Sequence, residues 1–200
     1  MGGPTSATGV TRLLEQVRDG DREALDRLLP LVYEELRGLA RAQLGRGGGP
    51  RTLQATALVH EAYVKLVRST DRGGGAGLDA ENRAHFLSIA ARAMRQVLVD
   101  RARAKGTEKR GGDWVPTTLH DGDATVEVDA AEMLALNEAI ESLEPRQRQI
   151  VESRFFGGLE ESEVASLLGV SERTVRRDWV KARAWLVRAL MPEATEGDPS

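Results

Sequence analysis

Apolar residues recur at helical spacing along almost the whole chain, and polar breaks divide them into segments. Val10, Leu13, Leu14 and Val17 follow the i, i+3, i+4, i+7 rule of one helix face, and Gly20 interrupts it. Asp21 is placed to cap the next helix, whose stripe runs Ala24, Leu25, Leu28, Leu29, Val32, Tyr33, Leu36, Leu39 and Ala40. Pro30 falls inside that stripe and, lacking a backbone donor, is expected to kink or divide the helix. Residues 45–50 read as a loop. A third helix is predicted over 55–68, burying Val59, Ala62, Tyr63, Leu66 and Val67. Residues 71–77, rich in glycine, read as a flexible connection, and a long helix follows over 82–104 with Phe86, Ile89, Ala90, Ala93 and Val97 on one face. Between 106 and 128 the periodicity stops. It resumes at Asp129, with Met133, Leu136, Ile140 and Leu143 in phase. Pro145 suits the first turn of a further helix carrying Ile150, Val151, Arg154 and Phe155, which Gly157 and Gly158 should end.

The most specific pattern lies at 161–179. Val164, Ala165 and Leu168 face inward on a short helix, Gly169 makes a turn and Val170 fills the corner; Ser171 caps a second helix on which Val175 and Trp179 pack back. Glycine at the turn permits positive φ, and a small residue such as Ala165 lets the helices cross closely. The outer face of the second helix then carries Glu172, Arg173, Thr174, Arg176, Arg177 and Lys181. That is a helix-turn-helix, and an arginine-bearing helix of this kind fits the major groove, where guanidinium donates twice to a guanine edge. The bland alternative is an ordinary helical hairpin with a solvated basic face.

Composition narrows the fold class. Aromatics are only 4% and charged residues 30%, which favours a soluble helical protein over a sandwich or barrel. No apolar run approaches the roughly 18 residues of a membrane span. The absence of cysteine excludes disulfides and thiolate-bound metals, and His60, His85 and His120 are scattered. The start lacks the basic and apolar regions of a secretory signal, so a cytoplasmic protein is expected.

Charge is unevenly distributed. Residues 1–110 hold 19 basic and 13 acidic side chains, whereas 111–200 hold 9 and 18. Residues 111–144 contain nine acids and no Lys or Arg, and they separate basic peaks at 92–110 and 171–190. Two polyanion-binding modules joined by an acidic spacer would show this order. The expected architecture is therefore all-α, with two small helical domains joined by an acidic flexible linker and a helix-turn-helix in the second. Its parts are a disordered start (1–9), a first domain (10–105), a linker (106–128), a second domain (129–190) and a flexible tail (191–200).

Two separated regions resemble the extracytoplasmic-function (ECF) group of bacterial RNA polymerase sigma factors. Leu143-Glu144-Pro145-Arg146-Gln147-Arg148-Gln149-Ile150 is similar to the opening of that family's fourth conserved region, and Phe155-Phe156-Gly157-Gly158-Leu159, Glu163-Val164-Ala165, Leu168-Gly169-Val170-Ser171 and Thr174-Val175 continue it. Upstream, Leu58-Val59-His60-Glu61-Ala62-Tyr63-Val64-Lys65-Leu66 resembles the second region's helix that docks on the polymerase β′ subunit, and 86–103 resembles the helix that handles the minus-ten promoter element. The chain departs from the pattern in having His85 and Arg92 where the family often has tryptophan and asparagine, and Glu160 where Ser or Thr usually caps.

The resemblance implies a two-point clamp on promoter DNA with core RNA polymerase, through its β′ and β subunits, as partner and an anti-sigma factor as a further one. Ser171, Arg173, Thr174, Arg176, Arg177, Lys181 and Arg183 would contact the minus-thirty-five element. His85, Arg92, Arg95, Gln96, Arg101 and Arg103 would hold the minus-ten element, with Lys105, Lys109 and Arg110 adding phosphate affinity. Leu58, His60, Glu61, Val64, Lys65 and Arg68 would dock on the polymerase. Opening DNA needs a cationic surface and a pocket for an unstacked base, so neither catalysis nor a cofactor is implied.

Enzyme-like motifs fail on spacing. His60-Glu61 begins like a zincin helix but has Val64 where the second histidine must stand, Asp121-Gly122-Asp123 lacks the remaining ligands of a calcium loop, and the glycine runs lack the Gly-Lys-Ser/Thr of a phosphate loop. Two other functions fit the pattern. One is a regulator that binds operator DNA without polymerase through the helix-turn-helix, using the first half as a sensing domain. The other is a helical interaction protein or small enzyme in which the motif is incidental.

Overall fold

A computed structural model of the chain describes residues 4–45, 51–71, 79–108 and 130–191. These form helices and no strand. Helix α1 spans Pro4–Arg18, so the helical start reaches into the segment expected to be disordered. Its Val10, Leu14 and Val17 are buried as the periodicity requires. Gly20 turns the chain at φ +96°, and the Asp21 carboxylate accepts from the Glu23 and Ala24 backbone N–H groups at 3.0 and 3.2 Å to start α2, Arg22–Gln43. Pro30 does not divide α2. It lies on the exposed side, while Leu28, Val32 and Leu36 hold the opposite side in the core, so burial offsets the missing backbone bond.

Helix α3, Arg51–Asp71, extends beyond the predicted bounds at both ends, and Tyr63 on it donates to Asp26 of α2. Burial and that carboxylate push the Tyr63 phenol up to about 12, so it remains a donor at neutral pH. Helix α4, Arg83–Glu108, begins where Asn82 Oδ1 accepts from the His85 N–H at 2.9 Å. It runs three residues into the expected linker, whose remainder at 109–128 lies outside the described residues, as does the glycine-rich 72–77 connection.

The second half comprises α5 (Ala130–Glu141), α6 (Pro145–Val151), α7 (Glu161–Leu168) and α8 (Glu172–Leu190). A π-helical turn at Glu152–Phe156 prolongs α6 and corrects one expectation. The extra residue in that turn delays the buried position from Phe155 to Phe156, so Phe155 is exposed and Phe156 is buried. Gly157 closes the turn. A Cβ there would sit 2.6 Å from the Ser153 carbonyl oxygen, so only glycine fits.

Helix α4 is the axis of the molecule. Phe86, Ala90, Ala93, Met94 and Val97 join the main core with α1, α2 and α3, and Met133 of α5 joins the same cluster. On its other side Ala91 packs with Ile140, Leu143, Val151, Phe156 and Ala182. A third cluster of Ile150, Leu159, Val164, Ala165 and Val175 is covered by Ala84. The two halves therefore pack directly on one another, with α4 buried between them.

Candidate nucleic-acid interface

The α7–α8 pair is set by local chemistry. Gly169 adopts φ +62°, and the Val170 N–H bonds back to the Ala165 carbonyl at 3.0 Å, which turns the chain at the end of α7. Ser171 Oγ accepts from the Thr174 N–H at 3.2 Å and opens α8. At the other end of α7, Glu163 reaches back to accept from the backbone N–H of Glu160, the residue that stands where the family usually has Ser or Thr, at 2.9 Å. Val164, Ala165 and Val175 lock the two helices together over Ile150.

This frame leaves one face of α8 in solvent. Ser171, Arg173, Arg176, Arg177, Lys181 and Arg183 are exposed, and Thr174 is half-buried beneath the cap. Arg176 bonds Glu161 of α7 at 2.8 and 3.1 Å, and Arg177 Nε donates to Asp178 at 3.0 Å. Arg188 lies farther along, its guanidinium over the Trp185 ring.

Asp178 was not among the predicted site residues. It shares the buried side of α8 with Val175 and Ala182, is 2% exposed, and accepts from Arg146 of α6 at 2.7 Å. Burial alone would raise its carboxyl; the hydrogen bonds and charges of Arg146 and Arg177 outweigh that and hold it below the usual range. An acid three residues after Val175 and four before Ala182, on the apolar side of a basic helix, was the available signal. Arg154 adds a second brace, stacked 4.8 Å over the Trp179 ring and paired with Glu161 at 3.2 Å.

The residues predicted for the minus-ten element fall into different environments along α4. Arg92 is exposed, with Nε 4.0 Å from Glu152. His85 is half-buried, and its Nδ1 accepts from the Glu81 N–H at 3.4 Å. Gln96 donates to Asp100 at 3.0 Å, and Arg101 pairs with Glu61 at 2.5 Å. Arg103 is exposed, and its charge helps hold Asp100 low. Arg95 differs from the rest: it is 3% exposed and turned into the second half, where Asn137, Glu152 and Glu141 accept from it at 2.6, 2.5 and 3.3 Å. In this arrangement Arg95 faces protein. The side chain of Lys105, and Lys109 and Arg110 altogether, lie outside the described residues.

Of the residues predicted for polymerase docking, Leu58 is fully buried in the main core, because α3 presents it to α2 and α4. It supports the helix from within. His60 and Arg68 are exposed, and Glu61, Val64 and Lys65 are half-buried. Lys65 pairs with Asp100 at 2.7 Å, so two ion pairs, Lys65–Asp100 and Glu61–Arg101, tie α3 to α4. Burial works to raise the Asp100 carboxyl, but bonds from Lys65 and Gln96 override it and keep it low. Among the described residues no group of His, Asp and Glu could hold a metal ion, and no helix is long and apolar enough to cross a membrane.

Residues 7–192 match the family model described as ECF sigma factor. The chain belongs to the ECF sigma factor family. Among solved structures, this ECF sigma factor is similar to CnrH, in a complex with the cytosolic domain of CnrY, at 20% identity over 92% of this chain and 99% of that one, with a TM-score of 0.40. It is also similar to the sigma factor RpoE of Bartonella quintana, in a complex with the anti-sigma factor NepR, at 20% identity over 84% and 97%, with a TM-score of 0.35. No curated protein sequence matches the chain.

Proposed function

We propose that this ECF sigma factor binds core RNA polymerase, reads promoter DNA with two separate helices and supports promoter opening. The observation that carries the reading is the α7–α8 pair: a left-handed Gly169 turn, a Ser171 cap and an exposed cationic face on α8, in a chain of this family. Such a helix enters the major groove by its N-terminal turns, which favours Arg173, Thr174, Arg176 and Arg177 as base readers, with Lys181 and Arg183 on phosphates. Arg176 is paired with the partly exposed Glu161, and exchanging that carboxylate for a guanine edge or a phosphate costs little, whereas Arg177 is held by the buried Asp178. The chain acts by binding, and its chemistry is that of its polymerase partner.

On α4, the exposed Arg92 and Arg103 and the half-buried Gln96 and His85 supply backbone and base contacts for the minus-ten element. His60, Glu61, Val64, Lys65 and Arg68 of α3 form the docking surface for the polymerase β′ subunit, and an anti-sigma factor is a further partner. A net charge of −3 opposes binding to free DNA, so tight promoter binding requires the core enzyme. Footprinting on promoter fragments with and without core polymerase tests the reading. Protection of both elements only when core is present is the expected result, with Arg176→Ala losing the upstream protection and Lys65→Ala losing core capture. A two-fold symmetric footprint without core would replace the reading with a self-sufficient helix-turn-helix regulator.

A further inference from the structure

Asp178 divides its two carboxylate oxygens between two arginines. Oδ2 accepts from Arg146 Nε at 2.7 Å and lies 2.7 Å from its Nη2, so α6 occupies that oxygen. Oδ1 accepts from Arg177 Nε at 3.0 Å. The acid is buried with Val175 and Ala182, whereas the Arg177 side chain is 57% exposed. One bond thus ties a surface side chain to a fixed point of the core. The three arginines of the proposed reading face are held in three different ways. Arg173 is exposed and has no partner among the described residues. Arg176 gives Nε and Nη2, one whole edge of its guanidinium, to Glu161. Arg177 gives only Nε, and both its terminal nitrogens are without a partner among the described residues.

We propose that Asp178 is a positioning residue for promoter specificity: it anchors the Arg177 guanidinium by Nε and so presents the two terminal nitrogens as a preset fork for one guanine of the upstream element. The proposal rests on the sigma-factor reading and adds which arginine is aimed at a base and what aims it. Guanine offers O6 and N7 side by side in the major groove, and a planar guanidinium with Nε already engaged matches that pair with its remaining end. A long side chain loses rotamer freedom when it binds. Arg177 has given up part of that freedom on folding, so less is lost on DNA. The anchor holds because it is buried. A carboxylate in solvent would exchange its partner for water, but Asp178 is 2% exposed and Arg146 fixes its other oxygen. The charges suit the same role, since one carboxylate between two guanidinium groups leaves the cluster positive. An acid that only braced α8 would need Arg146 alone; the bond to Arg177 is what a bracing role does not explain.

Asparagine has one acceptor oxygen for two guanidinium groups, so Asp178→Asn keeps the shape and frees Arg177. The probe is a promoter fragment selected from random sequence by the full-length parent with core polymerase. Each guanine of its upstream element is replaced in turn by 7-deazaguanine, which pairs normally and lacks the N7 acceptor. One replacement should weaken binding by the parent holoenzyme about five-fold or more, and Arg177→Ala should abolish that penalty, which marks the guanine read by Arg177. With Asp178→Asn the penalty at that guanine should fall below about two-fold, while penalties at other guanines persist. An unchanged penalty overturns the proposal. So does an equal fall at every guanine, the mark of a helix that has merely rolled, and so does the lack of any guanine that answers to Arg177. If the parent forms no promoter complex with core, the sigma-factor reading itself fails and the proposal falls with it. Should Asp178→Asn misfold, side-chain NMR on the parent chain decides. The Arg177 Nε–H signal, assigned by its loss in Arg177→Lys, should relax as rigidly as the α8 backbone, and that of Arg173 should be mobile. Equal mobility at the two sites overturns the anchor.

Discussion

Asp178 shows how one buried side chain organises a surface built of arginines. It draws Arg146 across from α6 and Arg177 from its own helix, which fixes the roll of α8 against the helices beneath it. Replacing it with asparagine keeps the shape and removes the charge. Because Arg146 is half exposed, the expected loss is well below that of a fully buried pair, about 1–3 kcal/mol. The folded-state carboxyl is held below its unfolded value, so the stabilisation is fully present above the unfolded pKa and is lost as pH falls through the folded one. Thermal melts from pH 7 downward should therefore show a stability gap between parent and Asp178→Asn that narrows below about pH 4. A gap independent of pH would mean that the charge is not what Asp178 contributes.

The exposed arginines separate by role at the same scale. Arg173→Ala should cost about 1–3 kcal/mol in promoter binding and relax preference at one base pair of the upstream element. Lys181→Ala should weaken all promoters alike and lower the salt slope of binding by about one. Titrations of the two variants at several salt concentrations, on matched and mismatched promoters, separate these behaviours.

At the scale of elements, most helices were legible because each buries one stripe against the core. Val10, Leu14 and Val17 on α1 and the alternating run on α2 sit where their spacing put them. What escaped the periodicity has physical causes. Helix α4 is buried on two sides, and its second side consists of Ser88, Ala91 and Arg95, small or charged residues that register as solvent-facing when only apolar spacing is counted. The π-helical turn shifts the register by one residue, which no regular period describes, and so exchanged Phe155 for Phe156. In the candidate site, the Gly169 turn, the Ser171 cap and the exposed cations of α8 could be read from the sequence. The buried partners Asp178, Asn137 and Glu152 could not, since their burial depends on elements distant in the chain. The turn itself is testable. Gly169→Ala places a Cβ in open space but at φ +62°, so strain alone should cost about 1–2 kcal/mol in denaturant unfolding. Gly157→Ala meets a backbone oxygen at 2.6 Å and should cost more. Gly157 has an ordinary φ of −86°, so a loss there no larger than at Gly169 would mean that small backbone shifts relieve the crowding.

For the whole molecule, the charge pattern and the packing have a common consequence. Acidic side chains at 141 and 152 in the second half meet Arg95 on α4, so a chain with cationic surfaces at both ends carries its own competitor for them. A net negative protein has little drive to bind DNA unaided, and in the proposed function the polymerase supplies the additional binding surface. Run-off transcription from a cognate promoter, with and without bacterial core polymerase at one stated salt concentration, tests this most directly. The account predicts a defined transcript only when chain and core are both present, with no stable promoter complex formed by the chain alone. A chain that binds the promoter tightly by itself and yields no transcript with core would contradict it.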